Sequence, residues 1–234
     1  MKKVGIIIFA VALVVGLVAS NMFSFGRIGS GFMNFSMKFG RGKQGSGNVA
    51  AEKRDLANFS AVDVGGVFQV EIVAGKEFSV EVEADDNLLS HIETEVRRGT
   101  LYIETDRRLK TSNPIKVRIS APDIDKLDVS GAANVTLSGV KNDALSLEAS
   151  GASKVTVSGE TTQLNVDISG ATKVLADQLK AANANVEASG ASYADVNVTG
   201  ELRSKLSGAS NVEYSGSPTN VVTKKSGACR VSAK

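Results

Sequence analysis

Ser-Gly-Ala occurs six times in the C-terminal half of this 234-residue chain, with its glycine at Gly131, Gly151, Gly170, Gly190, Gly208 and Gly227. The steps between them are 20, 19, 20, 18 and 19 residues. A period this regular marks a solenoid, in which each unit cannot bury its own apolar face until it stacks on the next. Four residues after each glycine stand Val135, Val155, Val174, Ala194, Val212 and Val231, and four before it Leu127, Leu147, Val166, Val186, Ser204 and Thr223. Each repeat therefore reads as two period-2 strands meeting at a Ser-Gly-Ala corner. The glycine there permits a positive φ or a close chain approach, and the alanine that always follows suggests a cramped inward position. The small residues two after the glycine are Ala133, Ser153, Thr172, Ser192, Ser210 and Cys229, a column that asks only for small size. The Leu/Asn signature and helical segment of leucine-rich repeats are absent. The expected fold is all-β, a parallel β-helix over residues 127–234 with about 19–20 residues per rung; at roughly 4.8 Å per rung, six rungs make a rod about 29 Å long.

The segment 58–126 alternates apolar and polar residues in shorter runs, such as Phe68, Val70 and Ile72, then Val80 and Val82, then Ile115, Val117 and Ile119. Turn signals at Ala74-Gly75-Lys76 and Arg98-Gly99 predict neighbouring strands joined by tight hairpins, a β-rich half that precedes the solenoid and covers its first end. Asp85-Asp86-Asn87 reads as a polar turn with Asp85 or Asp86 as the N-cap of a short helical stretch at Leu88 and Leu89, since the further ligands of a calcium loop are missing.

Residues 1–25 have the form of a signal peptide or signal anchor: Lys2 and Lys3 precede an uncharged run from Val4 to Ala19, and the apolar character continues through Met22, Phe23 and Phe25. Membrane association through residues 4–25 and cleavage after Ser20 both fit. Residues 26–57 are rich in Gly, Phe and basic side chains and read as a flexible linker. The first 51 residues hold six basic groups and no acid, leaving 21 basic and 25 acidic residues for the rest. The globular part is thus mildly acidic, which argues against a nucleic-acid-binding body. One histidine (His91) and one cysteine (Cys229) give no material for a His/Cys metal site or a disulfide framework, and no cofactor is expected.

The outward columns carry the candidate site. Three residues before the glycine stand Asp128, Glu148, Asp167 and Glu187, followed by Lys205 and Lys224. Four carboxylates one rung apart repel one another unless water, salt, lysines across the corner or a cation relieve them. No backbone-rich loop completes a metal site, so the column reads as a surface-binding stripe or a solvated face.

These features together resemble the auto-transporter adhesin head domain family, also called the head GIN domain. The likeness covers roughly residues 58–231 and rests on the opening Phe59–Ile72 segment, the Val82–Leu89 stretch, the Gly99-Thr-Leu-Tyr-Ile run and the six Ser-Gly-Ala corners. It implies an exported bacterial β-helical domain, located in the periplasm, at the cell surface or on the membrane, with no catalytic residues to carry over. Two classes of function follow: a non-enzymatic envelope module presenting a repetitive β surface to glycans or proteins, or a polysaccharide-active lyase or hydrolase of the kind β-helices host. A self-assembling scaffold is a third, countered by Pro218, Lys224, Lys225, Arg230 and Lys234 at the last rung. The monotonous acid column gives no reason for two carboxyls to separate into acid and base.

Overall fold

The computed structural model describes residues 42–234, so the expectations for residues 1–25 and 26–41 lie outside the described residues. The strands in chain order are β1 (Lys43–Gln44), β2 (Val49–Arg54), β3 (Ala61–Gly66), β4 (Gln69–Ala74), β5 (Ser79–Asp85), β6 (Ile92–Arg97), β7 (Thr100–Thr105), β8 (Leu109–Lys110) and β9 (Lys116–Ala121). The repeats supply β10 (Lys126–Gly131), β11 (Asn134–Ala149), β12 (Lys154–Ile168), β13 (Lys173–Ala188), β14 (Tyr193–Val198), β15 (Glu201–Gly208), β16 (Asn211–Ser215), β17 (Asn220–Gly227) and β18 (Arg230–Ala233).

Every repeat stacks in parallel on the one before. On the side that precedes the glycine, Leu127, Leu147, Val166, Val186, Ser204 and Thr223 are successive partners. On the side that follows it, the column runs Val135, Val155, Val174, Ala194, Val212 and Val231. Both columns point inward, and the period-2 pattern buries aliphatic side chains down to Val212 except at Ser204, whose hydroxyl meets that of Thr223 at 2.9 Å. Register shifts after Leu137 and Thr156 mark a second corner, beyond which Asn142, Thr161, Ala181 and Val198 form a short third side. The all-β parallel solenoid is as expected.

The solenoid begins earlier than the Ser-Gly-Ala repeat. Strand β3 pairs in parallel with β10, placing Gly66 beside Gly131, and β4 pairs in parallel with the first part of β11. A further rung, β7 and β9, stacks on the outer edge of β3 and β4. The hairpin expectation holds at Arg98-Gly99, where both residues have positive φ and β6 folds antiparallel onto β7. It fails at Gly75-Lys76. There β9 inserts between β4 and β5, and the turn amides of Gly75 and Lys76 donate to the carbonyls of Pro122 and Ala121 instead of closing a ladder. The apolar alternation was the same for either arrangement, so periodicity alone could not tell a hairpin from an intercalated strand.

Two other expectations are corrected. Strand formation starts before residue 58: Val49–Arg54 pairs antiparallel with β5, and Lys43–Gln44 pairs with β8. Asp85, Asp86 and Asn87 do not cap a helix through their side chains; the 3-10 turn Leu89–His91 has Leu88 at its N-cap position. Asp86 and Asn87 instead hold the strap at residues 44–48, and Asp85 holds the loop at residues 111–113. Asn87 Nδ2 donates to the Gln44 carbonyl at 2.9 Å, Ser46 Oγ donates to Asp86, and the buried Asp85 accepts from Thr111 Oγ1 at 2.8 Å and Asn113 Nδ2 at 2.6 Å. Those two bonds, Asn113 first, hold the Asp85 carboxyl below the usual carboxylate range against the effect of burial. Nearby, Leu88 and Ile92 are buried and Phe59 lies against Phe78 with ring centroids 5.1 Å apart, so this end of the stack is closed by apolar side chains.

Candidate functional site

The corner is built differently from its sequence reading. The alanine after each glycine is exposed, and its amide donates to the glycine carbonyl one rung below, as Ala152 to Gly131 and Ala171 to Gly151, each at 2.8 Å. The inward residue is the next one, and size is not all it supplies. Ser153, Thr172, Ser192 and Ser210 each donate a hydroxyl hydrogen bond to the carbonyl three residues back, at 3.0, 2.7, 2.6 and 2.8 Å. In the last rung the half-buried Cys229 thiol lies 3.5 Å from the carbonyl oxygens of Ser226 and Gly208.

These corners hold the outward columns in register. Asp128, Glu148, Asp167, Glu187, Lys205 and Lys224 are consecutive Cα partners, and the column extends one rung further than the repeat, to Asp63 on β3. Asp63 stands three residues before Gly66 just as Asp128 does before Gly131; the missing Ser-Gly-Ala at Gly65-Gly66-Val67 hid that phase in the sequence. The result is five carboxylates leading into two ammonium groups. On one flank run Ser130, Ser150, Ser169, Ser189, Ser207 and Ser226, and on the other Lys126, Ser146, Asn165, Asn185 and Arg203.

Charge relief comes from the same face, not from across the corner. Lys126 Nζ lies 2.7 Å from Glu148, and Lys205 Nζ lies 3.1 Å from Glu187. Asp167 enters no ion pair among the described residues. Burial, then the neighbouring Asp128 and Glu104, raises the pKa of Asp63; burial, then Glu148, raises that of Asp128. Asn185 Nδ2 donates to Asn165 Oδ1 at 3.1 Å, the start of an amide ladder beside the acids. An open groove of about 760 Å³ lies along this face where the acids meet the bases, lined by Glu148, Asn165, Asp167, Asn185, Glu187, Arg203, Lys205 and Lys224. Its walls offer hydrogen-bond acceptors and donors every rung, with no aromatic platform.

A second cluster, on the post-glycine side, was not foreseen. Tyr193 donates to Glu213 Oε2 at 2.8 Å, the Lys173 ammonium sits 4.8 Å from the Tyr193 ring centroid, and the nine-tenths-buried Asp195 receives the ammonium of Lys234. Burial and the Glu213 contact push the Tyr193 phenol up to about 12, so it holds its proton at neutral pH. Two acids and a tyrosine are thus together, and none of the three lines the groove. Glu213 is engaged by Tyr193, and Asp195 by Lys234 through one oxygen, while its other buried oxygen has no partner among the described residues. His91 is half-buried and lies 3.2 Å from Asp106, an ion pair when protonated. Among the described residues no group of three His, Cys, Asp or Glu side chains is placed to hold a metal ion.

Residues 58–218 match the family described as "Putative auto-transporter adhesin, head GIN domain". The chain belongs to this family. A search of curated proteins returns no match. Among solved structures, a "putative adhesin" from Bacteroides fragilis is 20% identical with a TM-score of 0.69, over 82% of this chain and 100% of that one. A "putative adhesin" from Parabacteroides distasonis is 20% identical with a TM-score of 0.55, over 83% and 100%. From the same species, a protein described as "putative lipid binding protein" is 16% identical with a TM-score of 0.56, over 83% and 100%. At these identities the likeness is one of fold, and it places the head GIN domain of this chain among parallel β-solenoids.

Proposed function

We propose that this head GIN domain is a non-enzymatic, exported cell-envelope module whose pre-glycine face binds glycans or proteins through many weak contacts. The observation that carries this reading is the unbroken register of the Asp63-to-Lys224 column between its serine and asparagine neighbours. A partner that repeats, such as a polysaccharide or a crowded surface, meets the same shallow contact at every rung, and each contact made raises the effective concentration for the next. Membership in an adhesin-named family supports a surface or exported location, and no helix among the described residues is long and apolar enough to cross a membrane. The enzyme reading loses support because no aromatic platform stands beside the ladder's acids and because Tyr193, Asp195 and Glu213 do not line the groove.

The test replaces Asp128, Glu148, Asp167 and Glu187 by Asn or Gln, one at a time and together, and measures adhesion of cells and binding to isolated envelope glycans. Losses that grow with the number of substitutions support the multivalent surface. Abolition by a single substitution, with the fold intact, would replace it with a discrete site and bring back the enzyme.

A further inference from the structure

The two ends of the solenoid are finished differently. At the first end, β9 presents Lys116, Arg118 and Ser120 outward, and the chain covers that strand with β5, Ser79-Val-Glu-Val-Glu-Ala-Asp85, laid antiparallel. Glu83 opposes Lys116 and Glu81 opposes Arg118, with ion pairs of 2.8 Å from Lys116 to Glu83 and 2.9 and 3.0 Å from Arg118 to Glu81 and Glu83. Val80 and Val82 point into the core. The stack's edge is therefore closed by an extended segment alternating valine with glutamate.

At the far end, β17 and β18 each have one ladder partner, β15 and β16, and no strand beyond them among the described residues. Arg230 stands in the same outward column as Lys116, seven rungs along. Residues 215–234 contain Lys224, Lys225, Arg230 and Lys234 and no acid. Lys234 is held by Asp195, but Lys224, Lys225 and Arg230 are exposed and enter no ion pair among the described residues. Val221 and Val222 are 38% and 42% exposed, although Val221 continues the inward column of Leu202.

We infer that this basic, unpaired edge is a docking site for an extended acidic segment of another protein, which adds to β18 and β17 as a strand with glutamate or aspartate alternating with small apolar residues. The free N–H and C=O groups of an edge strand call for a polypeptide backbone. Val221 and Val231 on the inward columns call for apolar side chains on one face, and the unopposed Lys224 and Arg230 on the outward columns call for carboxylates on the other, with Lys225 exposed at the inward edge of the last rung. A second copy docked end to end by this same edge would set these charges against their own kind, which disfavours it. The site shares Lys224 with the basic end of the column proposed above, but its test leaves that column's residues unchanged, so the two readings stand or fall independently.

The chain's own cap supplies the probe. A labelled peptide of residues 77–85 (EFSVEVEAD) is titrated with the full chain and followed by fluorescence anisotropy, with backbone amide exchange recorded in parallel. Saturable binding is expected, with new protection confined to residues 220–233. It should weaken at least tenfold with the scrambled peptide, at least tenfold when both central glutamates of the peptide are lysine, and at least tenfold in the Lys225→Glu, Arg230→Glu protein. The peptide variants leave the protein untouched, so they decide the matter even if the double substitution unfolds the last rung. Equal binding of the scrambled peptide would reduce the effect to charge alone. Protection at residues 116–121 would mean displacement of the native cap. Absence of saturable binding, or self-association of the chain lost in the double variant, would also overturn the docking site.

Discussion

The stacked glycines set how closely one rung approaches the next. Gly151 has φ of 82°, and a Cβ there would lie 2.3 Å from the carbonyl oxygen of Gly131. Gly75 has nearly the same φ, 81°, with nothing within 4 Å of where its Cβ would be. Alanine at Gly75 meets only the left-handed backbone penalty, about 1 kcal/mol. At Gly151 it adds a clash with backbone that cannot give way, and we expect a loss of about 3 kcal/mol or more. Urea denaturation of the two variants checks this; equal losses would mean that conformation, and not approach, is what the repeat selects. The ladder makes a second prediction at this scale. The Asp128 carboxyl has its pKa raised in the fold, so ionisation costs stability above that value, and the cost fades as pH falls through it toward the unfolded value near 3.9. Asp128→Asn is expected to be more stable than the parent at pH 7, with the difference vanishing by about pH 3 in thermal melts.

At the scale of the corner and strand, the hydroxyl column acts as a staple that the sequence pattern concealed. Ser, Thr, Ala and Cys look alike as small residues, and only the coordinates show the hydroxyl donating to the carbonyl three residues back. Ser192→Ala removes the donor to the Ser189 carbonyl, at a cost of about 1 kcal/mol. Cys229→Ser replaces a weak thiol donor with a strong one and should raise stability by a few tenths of a kcal/mol. Denaturation midpoints measured under reducing conditions test both. The repeat columns and the acid ladder from Asp128 to Glu187 were legible because a fixed period aligns them without any coordinates, but the corner alanine read as inward lies exposed. Asp63, the Gly66 rung and the intercalation of β9 were not, because the chain between Gly66 and Gly131 leaves the stack, builds the cap and returns, and no period spans such an excursion. Strand β2 escaped notice for a simpler reason: Val-Ala-Ala-Glu-Lys-Arg has no apolar alternation, since it lies at the sheet's edge. The Tyr193, Glu213 and Lys234 cluster joins residues that only stacking brings together.

For the molecule as a whole, the two halves are knit together in different ways. In the first half, β9 is held between β4 and β5, both earlier in the chain, so it cannot be peeled from one side but must be drawn out between two ladders. From β12 onward each turn rests only on the turn before it. This asymmetry has a mechanical consequence. A tether pulled from Lys234 should peel the rod like tape, releasing one repeat at a time and lengthening the molecule by about 65 Å per repeat, the contour of about 19 extended residues. The sawtooth should end in a single larger rupture when the force reaches the interlocked first half. Single-molecule extension at constant velocity reads these steps directly; one cooperative rupture from the start would show that the rungs share load along the whole rod.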